Sequence, residues 1–339
     1  MKIGIIGCGR IFQKHIEAIQ SIEFFELKSL CETNISKVKF LEDKYGVPIY
    51  EDINEFVFKS KLDLAVVCSP SGLHPQHSIE CALSGSDVIC EKPMSTKWED
   101  ALKMIDVFDK QKKNLFIVKQ NRLNPTIKLL KKAIESKDLG KIFMINANVF
   151  WCRPQSYYDQ DDWRGTWELD GGALMNQASH YVDLLDWVFG PIEKINCFSS
   201  TLDRKIEVED TATVNLRWKS GALGSLNVTM LVHDKNYEGS ITVIGEKGTI
   251  KISGQALNEI ETWKINGKDL SKQFMNNNYD IENVYGNGHK FFYKCVEDFY
   301  KQKKNNLPSG REGLRSLELL VAFYMSSSED KSVFLPIGK

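Results

Sequence analysis

Two glycines near the start of the chain, Gly7 and Gly9, directly follow an apolar segment. In a strand–turn–helix unit the first glycine permits a tight turn, and the second lets the backbone approach a pyrophosphate bound by free helix N–H groups. Arg10 and Ile11 continue this turn. The third fingerprint position is usually Gly or Ala but is Phe12 here, so the turn alone is weak evidence for a dinucleotide.

Glu32 strengthens this interpretation, because it stands at the end of the next apolar segment. A carboxylate there accepts hydrogen bonds from the adenosine ribose hydroxyls and repels the 2′-phosphate of NADP. The sequence therefore predicts a site for NAD, and an exposed glutamate at a strand end is the alternative for Glu32. Further candidates follow two later apolar segments, at positions where α/β sheets bind ligands. These candidates are Ser69, Pro70, His74, Glu91 and Lys92.

A second group of candidate residues lies in Ala173–Phe189, a segment with a helical pattern. The i, i+4 spacing of Asn176 and His180 predicts that both lie on one helix face. Histidine accepts a proton near neutral pH, and asparagine can hydrogen-bond a hydroxyl but cannot exchange a proton. On residues alone a structural role for His180 is favoured. Asp183 either orients His180 or is an ordinary helix carboxylate.

The elements that position the first group alternate short apolar segments with longer helical patterns. This alternation predicts an α/β fold, a doubly wound parallel sheet covered by helices on both faces, over residues 1–121. The predicted strands are Lys2–Ile6, Glu26–Cys31, Leu64–Cys68, Asp87–Cys90 and Leu115–Val118. The predicted helices are Ile11–Ser21, Ile35–Tyr45, Ile53–Lys59, Gln76–Ser84 and Lys97–Lys112.

Residues 122–339 have a different character and predict an α+β domain. A helix ending at Gly140 and a strand, Ile142–Trp151, precede an aromatic loop over Cys152–Asp170. Strand patterns separated by turn signals run from Ile192 to about Trp263, which indicates a mainly antiparallel, open-faced sheet. Two helices, about His289–Gln302 and Arg311–Ser327, follow. One face of the sheet is a candidate subunit interface.

Bulk properties exclude several classes of function. The net charge of −1 gives no strong attraction to nucleic acid or to anionic membranes. No segment approaches the roughly 18 apolar residues of a membrane span, and no apolar leader precedes Lys2. The eight cysteines form no C-x-x-C pair, which argues against a metal site and indicates reduced thiols. We therefore expect a cytoplasmic protein without nucleic-acid or membrane partners.

The order and spacing of several motifs resemble those of the Gfo/Idh/MocA oxidoreductases over essentially the whole chain. The resemblance implies a Rossmann domain, an open-faced sheet that mediates dimers or tetramers, and hydride transfer from a sugar or cyclitol carbon. The motifs are Gly7-Cys8-Gly9-Arg10, Ser69-Pro70-Ser71 with His74, Glu91-Lys92-Pro93, and Gly171-Gly172 with Asn176, His180 and Asp183.

The resemblance gives Lys92 the role of the catalytic lysine and His180 a place in the substrate site. The Lys92 ammonium would hold the substrate hydroxyl, and we expect bound NAD⁺ and partial burial to lower its pKa. Many relatives carry Asp where this chain has Asn176, so proton transfer is left to Lys92 and His180. Which of them takes the first proton stays open. The alternative for Lys92 is a surface lysine at a strand end.

A narrower resemblance covers Lys119–Pro125, including Gln120 in the cofactor site, and Trp151–Gln177. Both segments are similar to those of the subgroup that oxidises UDP-N-acetyl-glucosaminuronic acid at its C3 hydroxyl. That subgroup supplies 3-keto sugars for bacterial surface polysaccharide of the O-antigen type, and some members recycle NADH with 2-oxoglutarate. The resemblance implies a UDP-sugar substrate, 2-oxoglutarate as co-substrate, and a homo-oligomer such as a homotetramer.

Such a substrate carries a diphosphate and a carboxylate, which need cationic partners. Arg153 and Arg164 are the candidates for these charges, and Arg122 could reach either cofactor or substrate. The aromatic residues that could stack on sugar or uracil are Tyr158, Trp163 and Trp167. A packed connecting loop with solvated arginines is the alternative.

Two other functions stay open. One is another sugar or inositol dehydrogenase of the same family, which would bind a neutral polyol and have less use for an arginine-rich loop. The other is a non-catalytic NAD-binding regulator, against which the intact Lys92 and His180 argue.

Overall fold

The structure is a computed structural model that describes residues 1–281, 286–303 and 307–338. The described residues form two compact units, residues 1–118 with 289–317 and residues 119–288 with 318–339. The sequence predicted one boundary, after residue 121. Residues 289–317 instead return to the first unit, in part because the Ile117 N–H donates a hydrogen bond to the Pro308 carbonyl (2.9 Å).

The sheet of the first unit has six parallel strands in the order β3-β2-β1-β4-β5-β6 among the described residues. This confirms the doubly wound fold. The strands are β1 (Lys2–Ile6), β2 (Glu26–Cys31), β3 (Ile49–Tyr50), β4 (Leu64–Val67), β5 (Asp87–Cys90) and β6 (Leu115–Ile117). The prediction missed β3, whose two residues are too few to show a strand pattern.

The helices of this unit lie close to their predicted positions. They are α1 (Phe12–Gln20), α2 (Ile35–Tyr45), α3 (Ile53–Ser60), α4 (His74–Leu83) and α5 (Trp98–Gln111). Helix α4 begins two residues earlier than predicted, because Pro75 in its first turn has no N–H to satisfy. Every residue of β4 and β5 is buried, as in a parallel sheet covered on both faces.

The sheet of the second unit has nine strands among the described residues, in the order β14-β13-β12-β11-β7-β10-β9-β8-β15. All neighbours are antiparallel except β7 and β10, which confirms the mainly antiparallel prediction. The strands are β7 (Ile142–Phe150), β8 (Ile192–Ser200), β9 (Thr211–Trp218), β10 (Leu223–Thr229), β11 (Glu238–Gly245), β12 (Gly248–Ser253), β13 (Glu259–Ile265), β14 (Lys268–Asp269) and β15 (Val333–Phe334).

The two faces of this sheet differ in burial. Along β9 the alternate residues Ala212, Val214, Leu216 and Trp218 are buried, and the residues between them are half-buried or exposed. Several large apolar side chains of the sheet strands are exposed in the single chain, namely Phe143, Met144, Phe198, Leu223 and Ile244. The sheet is therefore open on one side, as the sequence predicted.

The remaining helices are α6 (Pro125–Glu135), α7 (Gln155–Tyr158), α8 (Ser179–Phe189), α9 (Ser271–Phe274), α10 (Gly288–Tyr300) and α11 (Gly310–Glu329). The predicted helix Ala173–Phe189 is too long, since α8 begins at Ser179. No helix within the described ranges has both the length and the apolar character needed to cross a membrane.

Candidate active site

The glycine turn after β1 has the geometry of a ligand cradle. Gly7 has φ +90°, and a Cβ there would lie 2.7 Å from the Cys68 carbonyl oxygen, so a side chain does not fit. A Cβ on Gly9, by contrast, would meet no protein atom within 4 Å. Gly9 and the exposed Arg10 thus leave the backbone open to an approaching group, whereas Ile11 is half-buried.

Glu32 is joined to this turn. Its carboxylate accepts hydrogen bonds from the Cys8 N–H (3.1 Å) and the Asn34 N–H (2.9 Å). It is buried, which contradicts the alternative of an exposed glutamate. The atypical Phe12 is buried too, and its ring packs edge-on against Tyr45 with a centroid distance of 5.6 Å.

The loop after β4 is tied to the turn after β5 by the buried His74. Its Nδ1 lies 2.7 Å from the Pro93 carbonyl oxygen and its Nε2 lies 2.8 Å from the Ser69 carbonyl oxygen. Pro70 ends this loop, and a 3₁₀ turn, Ser71–Leu73, leads from it into helix α4. The predicted cofactor residues Ser69 and Pro70 thus lie in a loop that is held in place by the ring of His74, the first residue of α4.

Glu91 stands at the centre of a buried polar cluster. Its Oε1 lies 3.0 Å from His15 Nε2 and 3.2 Å from His289 Nε2, and the His15 Nδ1 lies 2.8 Å from the Tyr293 hydroxyl. Burial by itself raises the pKa of Glu91, but the hydrogen bonds from His15 and His289 hold that pKa well below its usual value. Sequence reasoning treated both histidines as structural and did not connect them with Glu91.

Lys92 takes its backbone position from the same cluster. The other carboxylate oxygen of Glu91 accepts the Lys92 N–H (3.0 Å), and the peptide bond from Lys92 to Pro93 is cis. The residue itself is half-buried. The turn therefore fixes the backbone of Lys92 and leaves part of the residue accessible.

In the second unit the predicted shared helix face of Asn176 and His180 is wrong. Asn176 lies in a series of turns before α8, and His180 is the second residue of that helix. The residues before α8 form turns instead, in which the Ala178 N–H bonds to the Ala173 carbonyl five residues back and the N–H groups of residues 172–175 are bound by groups outside the segment. Their acceptors are on Glu209 and Tyr324.

The segment nevertheless presents the two candidate side chains. Within residues 171–180, all of which the structure describes, only Asn176 and His180 are not buried. The Asn176 amide donates a hydrogen bond to the Asp170 carboxylate, and His180 Nε2 lies 3.4 Å from Gln120 Nε2. Asn176, His180 and Gln120 therefore lie in one region of the second unit.

Asp183 and Arg122 form a buried ion pair. The Arg122 guanidinium donates two hydrogen bonds to the Asp183 carboxylate, of 2.8 Å and 2.7 Å. Lys119 Nζ lies 3.5 Å from Asp183 Oδ1. The guanidinium also lies over the Trp187 ring, 5.1 Å from its centroid. Neither sequence interpretation of Asp183 included this pair. Two nitrogens of the Arg122 guanidinium, Nε and Nη2, are therefore already bound to Asp183.

The aromatic loop brings Arg153 and Arg164 to one tyrosine, Tyr157. Arg164 donates to the Tyr157 hydroxyl (2.8 Å) and to Asp161 (2.8 Å), and Arg153 lies over the Tyr157 ring, 5.4 Å from its centroid. Arg153 also donates to Asn236 (3.1 Å). The arginines are therefore packed rather than solvated, and Tyr157 is a member of this group that the sequence did not single out.

The predicted stacking residues differ in accessibility. Tyr158 is buried, and burial raises the pKa of its hydroxyl, so its ring supports the loop from inside the unit. Trp163 is half-buried beneath the Arg164 guanidinium, 4.5 Å from its centroid. Trp167 is 50% exposed and contacts Tyr324 edge-on. Trp163 and Trp167 retain surface that a ligand could contact.

Comparison with known proteins identifies the protein family to which this chain belongs. Residues 1–119 match the NAD-binding Rossmann fold of the Gfo/Idh/MocA oxidoreductase family, and residues 131–335 match the C-terminal alpha/beta domain of the same family. The chain therefore belongs to this family of oxidoreductases, and its N-terminal part is an NAD-binding domain.

Individual relatives narrow the comparison. The WlbA dehydrogenase from Chromobacterium violaceum, solved with NADH and UDP-GlcNAcA, is 45% identical with a TM-score of 0.94, over 100% of this chain and 97% of that one. The WlbA dehydrogenase from Bordetella pertussis, solved with the same two ligands, is 45% identical with a TM-score of 0.95, over 99% and 98%. The myo-inositol 2-dehydrogenase of Thermotoga maritima is 29% identical over 99% of this chain and 98% of its own length.

Proposed function

We propose that this protein oxidises the C3 hydroxyl of UDP-N-acetyl-glucosaminuronic acid (UDP-GlcNAcA) with NAD⁺ to give the 3-keto sugar and NADH. The observation that carries this proposal is the 45% identity, over nearly the full length of both chains, to two dehydrogenases solved with NADH and UDP-GlcNAcA. The intact Lys92 and His180 support it.

The NAD site is proposed to use the loops of the first unit. The open backbone at Gly9 fits a pyrophosphate, with Gly7 permitting the turn, and the Glu32 carboxylate suits a ribose diol. The other proposed cofactor residues are Arg10, Ile11, Ser69, Pro70, His74, Glu91, Lys92 and Gln120. Their contributions differ, because His74 and Glu91 act by shaping the loops and not through a free side chain.

The reaction breaks the C3–H and O–H bonds of the sugar and forms a C=O bond. When bound, NAD⁺ accepts the hydride. The Lys92 ammonium is proposed to hold the substrate hydroxyl, and Asn176 to hydrogen-bond it. The hydroxyl proton goes to a neutral His180, or to Lys92 when Lys92 is the neutral amine, and either group would act as the general base.

The substrate charges are assigned to the aromatic loop. Arg153 and Arg164, joined through Tyr157, offer two guanidinium groups for the diphosphate and carboxylate. Trp163 and Trp167 provide ring surface, and Tyr158 supports them from the interior. Arg122 and Asp183 are proposed to act as one pair that holds the floor of this unit's site.

A second candidate is oxidation of a neutral cyclitol, which the similarity to a myo-inositol 2-dehydrogenase favours. Such a substrate gives the Arg153–Tyr157–Arg164 group no anion to bind. We therefore rank it below the sugar nucleotide.

The proposal also includes the use of the product, the reoxidation of NADH and the oligomeric state. The 3-keto product would serve bacterial surface polysaccharide synthesis in the cytoplasm, and 2-oxoglutarate would reoxidise NADH, itself becoming 2-hydroxyglutarate. The open sheet face, with its exposed Met144, Phe198 and Leu223, supports assembly into a dimer or tetramer.

The test supplies purified protein with NAD⁺ and either UDP-GlcNAcA or myo-inositol, and follows NADH absorbance. Parallel samples with 2-oxoglutarate are analysed for 2-hydroxyglutarate, because recycling would hide NADH. Turnover of myo-inositol without turnover of UDP-GlcNAcA would contradict the proposal. In the same assay Lys92→Ala should lower turnover by about 10²- to 10⁴-fold with NAD binding retained. Lys97→Ala, at an exposed position nearby, is the matched control.

The cofactor preference has its own test. Glu32→Ala should weaken NAD binding by about tenfold or more, since a hydrogen-bonded charged group is removed, and should change NADP binding less. Calorimetric titration measures both dissociation constants. Equal weakening of the two cofactors would remove Glu32 from the ribose site.

A further inference from the structure

Glu209 is a buried carboxyl group in the second unit, just before β9, with 3% of its surface exposed. Its Oε1 accepts the Leu174 N–H (2.8 Å) and the Tyr324 hydroxyl (3.0 Å), and its backbone carbonyl accepts the Ala173 N–H (3.1 Å). Its Oε2 is buried and has no hydrogen-bond partner among the described residues. Glu209 thus bonds to the backbone of two consecutive residues of one segment.

Tyr324, on α11, completes the contacts to the same segment. Its hydroxyl oxygen lies 3.3 Å from the backbone nitrogens of both Gly172 and Met175. Since its proton goes to Glu209, the oxygen is available to accept from these N–H groups. Glu209 and Tyr324 together therefore bind four consecutive backbone N–H groups, from Gly172 to Met175.

The fit of this segment around Glu209 explains the two-glycine motif. A Cβ on Gly172 would lie 1.7 Å from Glu209 Oε2, so a side chain there would force the Glu209 carboxyl group out of its position. Gly171 has φ +76°, a conformation that side chains disfavour. The two glycines are thus needed for the backbone to pass close to a buried carboxyl group.

We propose that Glu209 and Tyr324 are positioning residues, which hold the turn of residues 171–178 so that Asn176 and His180 meet the substrate hydroxyl. This inference rests on the proposed function, which gives Asn176 and His180 their roles. Its geometric basis is that these two residues are the accessible ones in a segment of which every other residue from 171 to 180 is buried.

The protonation state of Glu209 determines which substitutions at this position best test the proposal. Burial raises the pKa of Glu209 to about 7, against the opposing effect of its hydrogen bonds, and the nearby Asp170 adds to the rise. A large share of the carboxyl group is therefore protonated near neutral pH, and this protonated form matches a neutral amide in charge. Glu209→Gln keeps an oxygen that can accept from Leu174 and Tyr324, whereas Glu209→Ala removes both acceptors.

The first experiment measures steady-state kinetics with UDP-GlcNAcA and NAD⁺. Tyr324→Phe and Glu209→Ala should lower kcat by about 10- to 100-fold, because small displacements of catalytic groups have effects of this size. Their NADH dissociation constants should stay within about twofold, and Glu209→Gln should keep kcat within about threefold of wild type. Tyr324→Phe keeps the aromatic ring, so it remains informative if Glu209→Ala does not fold.

The matched control is Ser326→Ala, which removes another buried hydroxyl of α11. That hydroxyl binds the Cys197 N–H (2.9 Å) and the Lys331 carbonyl, and so supports a different segment. Ser326→Ala should keep kcat near the wild-type value even if it lowers the melting temperature. Equal kcat values for Tyr324→Phe, Glu209→Ala and Ser326→Ala would overturn the inference.

A second measurement separates this inference from the proposed function. Amide hydrogen exchange of residues 172–175 in the NADH complex should be faster in Tyr324→Phe and Glu209→Ala than in wild type, and unchanged in Ser326→Ala. Unchanged exchange in all variants overturns the inference whatever the substrate is. Failure of the wild type to oxidise UDP-GlcNAcA, together with faster exchange in the two variants, overturns the proposed function and supports the positioning of the turn.

Discussion

Glu91 in the first unit and Glu209 in the second are both nearly inaccessible to solvent, with 5% and 3% of their surfaces exposed. Their pKa values are nevertheless shifted in opposite directions from the usual value of a glutamate. The pKa of Glu91 lies well below its usual value and that of Glu209 rises to about 7. Burial acts on both in the same sense. The difference therefore comes from the groups around each carboxyl group.

The donors account for this difference. Both imidazoles reach one oxygen of Glu91, and the Lys92 N–H reaches the other, so both oxygens of the anion are hydrogen-bonded. Glu209 receives donors at one oxygen, its second oxygen is bare among the described residues, and the carboxylate of Asp170 is near. A buried glutamate is thus an anion or an acid according to how many donors surround it.

The largest effect on this comparison is expected from Glu91→Gln. It removes the charge to which two imidazoles and a backbone N–H donate, at a cost of about 3 kcal/mol in the free energy of unfolding near pH 7. Because the folded pKa is lowered, this stabilisation is present above the unfolded pKa and is lost on acidification. Urea unfolding measures it. The control is Glu55→Gln in an exposed pair with Lys59, where less than about 1 kcal/mol is expected.

Glu209→Gln should show the opposite pH dependence. Because the folded pKa is raised from 4.5 to about 7, the contribution of Glu209 is present below pH 4.5 and is lost as the pH rises through about 7. The variant should therefore gain up to about 3 kcal/mol on wild type between those limits. Urea unfolding at about pH 5 and about pH 8 tests this. A constant difference between variant and wild type, like that expected for the exposed Glu207→Gln, would show that Glu209 is an ordinary anion.

Gly172→Ala tests the close contact that distinguishes Glu209. The added Cβ would lie 1.7 Å from Oε2, so we expect a loss of about 1–3 kcal/mol in the free energy of unfolding. The loss should shrink in a Glu209→Ala background, where the oxygen is gone, and a double-mutant cycle measures the coupling. Gly9→Ala in the cofactor-free protein is the control, since a Cβ there meets open space. Additive losses would refute the contact.

The smallest effects are expected from the tyrosines beside the two clusters. Tyr293→Phe removes the hydroxyl next to His15 Nδ1 and should cost about 1 kcal/mol. Tyr324→Phe removes one donor and an acceptor for two N–H groups, so its cost should be larger. Thermal unfolding of the two variants side by side compares them. The reverse order would mean that the Glu91 cluster depends more on its tyrosine than the Glu209 cluster does.

The sequence predicted the first unit closely where structure depends on neighbouring residues. The bounds of β1, β2, β5 and α2 were predicted correctly from their residue patterns. These patterns are continuous along the chain and end at local signals, such as Gly46, which adopts the left-handed conformation after α2. The glycine turn and Glu32 were also found, because their spacing is local.

Prediction failed where distant residues intervene. The turns before α8 are bound by Glu209, 35 residues from Leu174, and by Tyr324, 152 residues from Gly172. No periodicity in Ala173–Phe189 reveals such partners. The sequence also could not join His15 to Glu91 or Arg122 to Asp183, because these pairs form only after the chain folds.

The pairing of β7 with β10 bears on how the second unit is made. β7 is the middle strand of the nine in the described sheet, yet it precedes both of its neighbours, β10 and β11, in the chain. During synthesis it leaves the ribosome long before either neighbour exists, whereas β8, β9 and β10 can pair locally as they emerge. Non-local pairing of this kind slows folding. We therefore expect the centre of the sheet to close last, and nascent chains that end before Gly245 to expose an unpaired edge of β7 to aggregation and chaperones.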